Sequence, residues 1–284
     1  MKPSLSIAAV ALGVLFVAPA IALAADPAPV VLPSSADAAA LDAVVGGSWR
    51  GPANTDRDKY RHPKETLQFF GVRPTQSLIE ITPGGGWYTE ILAPLLRQRG
   101  HYFGVIEDPD SVKPAARERT EQQNNQFEAK LAMRPDLYAL TQVRSIDPAA
   151  PVLGPAASVD VVLTFRNVHN WVMDGRQAAM FKAIYTVLKP GGILGVTDHR
   201  ANPGAATDGS KGYLTEQQVI DYATAAGFKL EAKSEINANP KDTKDWPRGV
   251  WTLPPTLALG AVDKAKYQAI GESDRMTLRF VKPK

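Results

Sequence analysis

SLIEITPGGGWYTEILAPLL (Ser77–Leu96) is the stretch that decides the fold. The run Gln76–Ile81 is short and apolar, the pattern of a strand buried on both faces of a parallel sheet. Trp87–Gly100 has helical composition, with Pro94 an irregularity and Gly100 a stop. Between them stand Gly84, Gly85 and Gly86. Residues without Cβ let the backbone approach a ligand, and the helix that follows begins with free N–H groups. A strand, a glycine turn and a helix in that order open a ligand-binding α/β sheet, in which ligands lie at the carboxyl ends of the strands near the reversal of strand order. Glu80, at the strand end, is an acceptor placed to order the turn or meet a cationic group. Alone, a Pro-Gly-Gly turn is a common structural feature, so the reading depends on its surroundings.

Outward from this stretch, strands and helices alternate. Further strands are expected at His101–Glu107, Leu140–Asp147, Ser158–Phe165 and Ile193–His199, with helices over 111–133 and 175–192. Such alternation specifies a parallel sheet covered on both faces. A helix over Thr215–Phe228 is opened by a Thr cap and closed by Gly227. The last two strands, Lys229–Ile236 and Arg275–Pro283, are joined by a Pro-rich loop over 237–262, which fits an antiparallel edge pair and is a candidate lid. Upstream, a helix begins near Pro63. The charges of DKYRHPK (Asp58–Lys64) fit either a lid over the site or a solvated helix face.

Acids recur where a nucleotide-like ligand needs them. Glu107 or Asp108 ends the second strand about twenty residues after the glycines, the place of a ribose-hydroxyl acceptor. Asp147 ends the third strand, on the adenine side, and Asp160 opens the fourth. Surface acids at strand ends are also common without any ligand. The chain has 4 histidines, and His169 and His199 follow the carboxyl ends of adjacent strands. An imidazole titrates near neutrality and suits proton removal from a hydroxyl or amine, and Asp198 is placed to orient one. The plain alternative is a pair of loop histidines bonded to backbone. Two His and an Asp can also hold a metal, but no further ligand is evident and none is expected. Asn167 and Trp171 are candidates for the pocket wall, Trp171 equally for the core.

With 284 residues, 44% hydrophobic and 21% charged, the chain is an ordinary globular one. Its net charge of +3 comes without a Lys/Arg block, so no nucleic-acid partner is expected. Residues 1–25 combine one Lys, an apolar stretch and Ala22-Leu23-Ala24, the pattern of a cleaved export signal, which implies a periplasmic or secreted protein without stable membrane insertion. Pro19 and the cleavage pattern argue against an uncleaved anchor. The absence of Cys excludes disulfides and thiolate metal sites. Residues 26–53, rich at first in Ala, Pro and Ser, read as a flexible arm before a domain over 54–284.

LIEITPGGGWYTEILAPLL, SVDVVLTFRNVHNW, LKPGGILGVTDHRA and SDRMTLRFVKP together resemble the class I S-adenosylmethionine-dependent methyltransferases, and more narrowly an exported bacterial group of them. The resemblance covers about 220 residues as a pattern. It implies a Rossmann-like, doubly wound sheet of seven strands in the order 3-2-1-4-5-7-6 with the last strand antiparallel. It also implies S-adenosylmethionine as cofactor. The family's acidic-x-Gly-x-Gly-x-Gly loop falls on Glu80, Thr82, Gly84 and Gly86, so Thr82 stands at the first glycine. A β-branched residue there is expected to block a left-handed backbone or crowd the ligand. The ribose acid falls on Glu107 or Asp108 and the adenine-side acid on Asp147, while Phe165, Arg166 and Asn167 face the methyl group.

The first reading is therefore an exported methyltransferase acting on a small molecule, with His169, His199 and Asp198 as catalytic candidates. The alternative is an inactive member of the same fold that binds a nucleoside-like or apolar ligand. A nicotinamide-dependent dehydrogenase would need a third glycine packed on the sheet and a continuous parallel C-terminal edge, and neither is seen.

Overall fold

The computed structural model describes residues 34–284; the export signal expected over 1–25 and the first part of the arm lie outside the described residues. Along the chain come helices α1 (Ser35–Val45), α2 (Pro52–Thr55), α3 (Asp58–Arg61) and α4 (Pro63–Phe69), strand β1 (Ser77–Ile81), α5 (Thr89–Leu96) and β2 (His101–Glu107). Next are α6 (Pro114–Met133), α7 (Pro135–Tyr138), β3 (Gln142–Ile146), β4 (Val159–Phe165), α8 (Val168–Met173), α9 (Gln177–Val187) and β5 (Leu188–His199). The chain closes with α10 (Glu216–Ala225), β6 (Lys229–Ser234), α11 (Lys264–Ile270) and β7 (Arg275–Val281).

These strands form one seven-stranded sheet in the order β3-β2-β1-β4-β5-β7-β6. β1 to β5 are mutually parallel, and β7 runs antiparallel to both β5 and β6. Ile79, Ile81, Val105 and Val162 point to one face, under α9 and α10; Leu78, Val161 and Leu163 point to the other, under α4 and α5. Burial on both faces explains why the central strands are apolar throughout. Because β7 is antiparallel, its first residues lie at the same end of the sheet as the last residues of β4 and β5; Arg275 pairs with His199.

Two expectations need correction, and a third, left open, is decided. From Ser35 the arm is a packed helix: Leu41 and Val44 are buried against the core, and Trp49 Nε1 donates to the Glu90 carbonyl at 2.9 Å. Three-residue spacing of apolar side chains gave this stretch a buried face that its Ala-rich composition concealed. Second, Pro190-Gly191-Gly192 does not end a helix but lies within β5, since α9 already stops at Val187. Neighbouring Lys189 pairs with Asp160 at 2.7 Å, and Asp160 also accepts from Ser77 N, tying three strands together at the end of the sheet away from the glycine turn. Third, Trp171 lines no pocket: it is core, packed edge-on against Phe181. The Thr215 cap is present as a full capping box with Gln218.

Candidate active site

The glycine turn leaves β1 with three left-handed residues, Thr82 (φ 47°), Gly84 (φ 57°) and Gly86 (φ 72°). Thr82 thus adopts the backbone that its branched side chain was expected to block. For a β-branched residue this conformation is strained by about 1–2 kcal/mol. The Thr82 N–H donates to the Val105 carbonyl at 2.7 Å, which holds the strained residue against β2. A Cβ built on Gly84 or Gly85 meets nothing within 4 Å, so open space borders the turn. Gly86 faces inward, against Phe127 and Lys130 of α6. The Lys130 ammonium donates to the carbonyls of Gly85 and Gly86 and pairs with Glu90, clamping the turn from one side.

Glu80 is buried beneath the turn and accepts from Tyr102 Oη at 2.6 Å and Thr89 Oγ1 at 3.1 Å. It orders the loop and does not project to a ligand. Burial raises its pKa to about 7, with the two hydroxyls and the Lys130 charge opposing the rise. Of the two ribose candidates, Asp108 is consumed by its own turn, accepting from Asp110 N and Ser111 Oγ. Glu107 gives one oxygen to Arg176 and keeps the other without a partner among the described residues. Asp147 is exposed, and its carboxylate accepts from Ala149 N in a local turn. Asn167 is buried and donates to the Ile81 carbonyl and Thr164 Oγ1, joining the ends of β1 and β4. The structure therefore places Thr82, Gly84 and Glu107 at the carboxyl ends of β1 and β2, turns Gly86 inward, and gives Glu80, Asp108 and Asn167 internal work.

The two histidines lie side by side. His169 sits on α8, where the sequence suggested a loop, and His199 ends β5; their ring centroids are 5.2 Å apart. Asp198 is fully buried. Its carboxylate accepts from His169 Nδ1 at 2.8 Å, His169 N at 3.2 Å and His199 N at 2.7 Å. A carboxylate on Nδ1 fixes the tautomer and leaves Nε2 of His169 as the free lone pair. His199 Nδ1 bonds Ser273 Oγ at 2.5 Å. Burial, the neighbouring His169 and the charges of Arg166, Arg275 and Arg61 push His199 well below the ordinary histidine value, so it is neutral near pH 7. One ligand atom each from His169, Asp198 and His199 lies within 4.8 Å of the others, close enough for a metal. The surrounding guanidiniums oppose a divalent cation there.

Apart from Arg166, those guanidiniums are what sequence reasoning missed. Arg57 and Arg61, from the segment read as lid or solvated face, converge with Arg275 on Glu272: Arg57 Nε at 2.6 Å, Arg61 Nε at 3.0 Å and Arg275 Nη2 at 3.1 Å. Arg61 is 2% exposed and lies over the Trp87 ring at 4.7 Å. Arg166 follows β4 in a left-handed conformation (φ 62°), fixed by its N–H to the Thr197 carbonyl. Tyr88 and Phe165 stack with centroids 3.6 Å apart and form an apolar wall. Trp251, from the Pro-rich loop, packs edge-on to His169 at 6.2 Å.

Residues 79–196 match a family model described as a methyltransferase domain. The chain has the Rossmann-like fold of the S-adenosylmethionine-dependent methyltransferases. No curated protein sequence matches it. Among solved structures, it is similar to an S-adenosylmethionine-dependent methyltransferase from Aquifex aeolicus at a TM-score of 0.55 and 13% identity, covering 87% of this chain and 98% of that one. It is also similar to the cyclase SpnF at a TM-score of 0.55 and 18% identity, covering 84% and 85%. At such identities the likeness concerns the fold, and a cyclase on the same frame shows that the reaction is set by the site. The methyltransferase domain's cofactor is S-adenosylmethionine. Its residues fit that molecule: the turn at Gly84 and Gly85 opens on free space, and Glu107 holds an unpaired carboxylate oxygen at the end of β2.

Proposed function

We propose that the protein transfers a methyl group from S-adenosylmethionine to a small molecule, and that it does so after export from the cytoplasm. Export rests on the leader-like residues 1–25 alone. The transfer reading is carried by one observation, the His169–Asp198 pair at the carboxyl ends of β4 and β5 with Nε2 left free. When bound, the cofactor supplies an electrophilic methyl carbon. Gly84 and Gly85 would receive its amino-acid end, and Glu107 its ribose. The acceptor's hydroxyl or amine gives its proton to His169 Nε2 as it forms the new bond, and Asp198 stabilises the imidazolium that results. Neutral His199, held by Ser273, lines the same cleft without competing for that proton. The Tyr88–Phe165 wall and Trp251 exclude water.

Calorimetry tests the cofactor half. S-adenosylhomocysteine should bind at micromolar concentration, and Gly84→Val, which puts a branched side chain at a left-handed position, should abolish binding. A folded chain that binds no S-adenosylhomocysteine would instead be an inactive member of the fold. In turnover assays His169→Ala should lower kcat by about 10²-fold or more at nearly unchanged cofactor affinity.

A further inference from the structure

The charges around the histidine pair do not balance. Arg57, Arg61, Arg166 and Arg275 face this end of the sheet, and Arg57, Arg61 and Arg275 share one carboxylate, that of Glu272, 3% exposed. Its oxygens already accept from Arg57 and Arg61 and pair with Arg275, close to the capacity of a carboxylate. Donors are left over. Nη2 of Arg57 and Nη2 of Arg61 are buried with no hydrogen-bond partner. Arg166, half-buried, makes no side-chain hydrogen bond or ion pair among the described residues; desolvation lowers its pKa to about 10, with Glu272 opposing and Arg275 and Arg57 adding to the fall. A buried donor without a partner costs about 1–3 kcal/mol, and more when charged. Such a cost persists where a ligand relieves it.

The position of these donors defines the ligand. Arg61 rests on Trp87, the residue after Gly86, and Arg166 precedes Asn167 at the end of β4. Ser273, beside Glu272, holds His199, whose ring neighbours His169. The unpaired guanidiniums therefore stand between the glycine turn and the proton acceptor. Planar guanidinium forks match the oxygen pairs of carboxylates and phosphates. We propose that the methyl acceptor is an anion, bearing a carboxylate or phosphate group that Arg57, Arg61 and Arg166 hold beside the His169–Asp198 pair; this deepens, and rests on, the methyl-transfer reading. The anchored end fixes the molecule, so its hydroxyl or amine meets Nε2 of His169.

The same donors would also suit the cofactor's own carboxylate, and the experiment separates the two. The full chain is titrated calorimetrically with inorganic phosphate, with S-adenosylhomocysteine, and with methylthioadenosine, which lacks the amino-acid end. Wild type should bind phosphate. Arg166→Gln, whose side chain leaves no internal bond broken, should weaken phosphate at least tenfold and S-adenosylhomocysteine less than twofold. Arg61→Met should do the same if it folds, but the test does not depend on it. Absence of phosphate binding overturns the anion site. A tenfold loss of S-adenosylhomocysteine affinity in Arg166→Gln, with methylthioadenosine unchanged, assigns the arginines to the cofactor and overturns the acceptor proposal. Wild type that binds phosphate but no S-adenosylhomocysteine overturns methyl transfer, and the acceptor role with it, while leaving the anion site standing.

Discussion

Replacing Glu272 by glutamine leaves Arg57, Arg61 and Arg275 facing a neutral amide in the same place. The size of the loss follows from two routes. Burial raises the Glu272 pKa, but Arg275, Arg61, Arg57 and Arg166 outweigh it and bring the value from 4.5 to about 2. A fall of that size corresponds to roughly 3 kcal/mol of preference for the charged form in the folded state. Independently, removing one member of a buried ion-pair network costs about 3–5 kcal/mol, because the remaining charges stay buried. Both give roughly 3 kcal/mol at pH 7, or a fall in Tm of about 6–12 °C for a chain of this length. The pH dependence is the sharper test. A depressed carboxylate contributes stability above its unfolded pKa and loses it as pH falls through the folded one. The wild-type advantage over Glu272→Gln should thus be full above pH 4.5 and shrink toward pH 2. Urea titrations of both proteins at pH 7, 5, 4 and 3 read it directly. A difference under about 1 kcal/mol at pH 7, or one that does not change with pH, would refute the reasoning.

Other outcomes follow from the same geometry. Thr82→Gly releases about 1–2 kcal/mol of left-handed strain and gives back about 0.5–1 kcal/mol in unfolded-chain entropy, so urea unfolding should show a small net stabilisation; a clear loss would mean that Thr82 makes a contact outweighing its φ of 47°. Asp198→Asn should leave cofactor binding intact and lower kcat by about 10²-fold or more, with a shifted pH-rate profile, because His169 loses its tautomer lock; an unchanged profile would remove the pair from the chemistry. Glu80 behaves oppositely to Glu272: its folded pKa is raised to about 7, so its contribution is present below 4.5 and lost as pH rises through 7. Stability of the wild type should fall relative to Glu80→Gln between pH 4.5 and 7, by up to roughly 3 kcal/mol, and a flat difference across that range would contradict it.

The sheet was legible because its central strands are buried on both faces and therefore read as uninterrupted apolar runs. The glycine turn and both histidines were legible because they sit at strand ends, where position along the chain and position in space coincide. Three things were hidden. α8 is six residues long, too short to show a helical period in VHNWVM. The helix α1 disguised its buried face among alanines. The arginine network was hidden most deeply: Arg57 meets Glu272 across 215 residues of chain, and a pattern of local charge cannot distinguish a solvated helix face from one turned inward. The polar side chains at the strand ends carried a second ambiguity. Glu107 and Asp108 are adjacent in sequence, and only their partners show which one is spent on its own turn.

The clamp on the glycine turn has an uneven foundation. Lys130 and Phe127 reach the turn from α6, a helix of 20 residues in which Phe127 is the buried one. The carbonyls of the glycine turn are thus fastened to a helix that one buried side chain holds on the body of the protein. A helix so lightly moored opens at lower free energy than the strands beneath it. Each time it lifts, the carbonyls of Gly85 and Gly86 lose their cation together. Slow amide exchange at residues 84–90 should therefore keep time with that of α6, which makes the helix a latch whose release sets how readily a nucleoside enters and leaves.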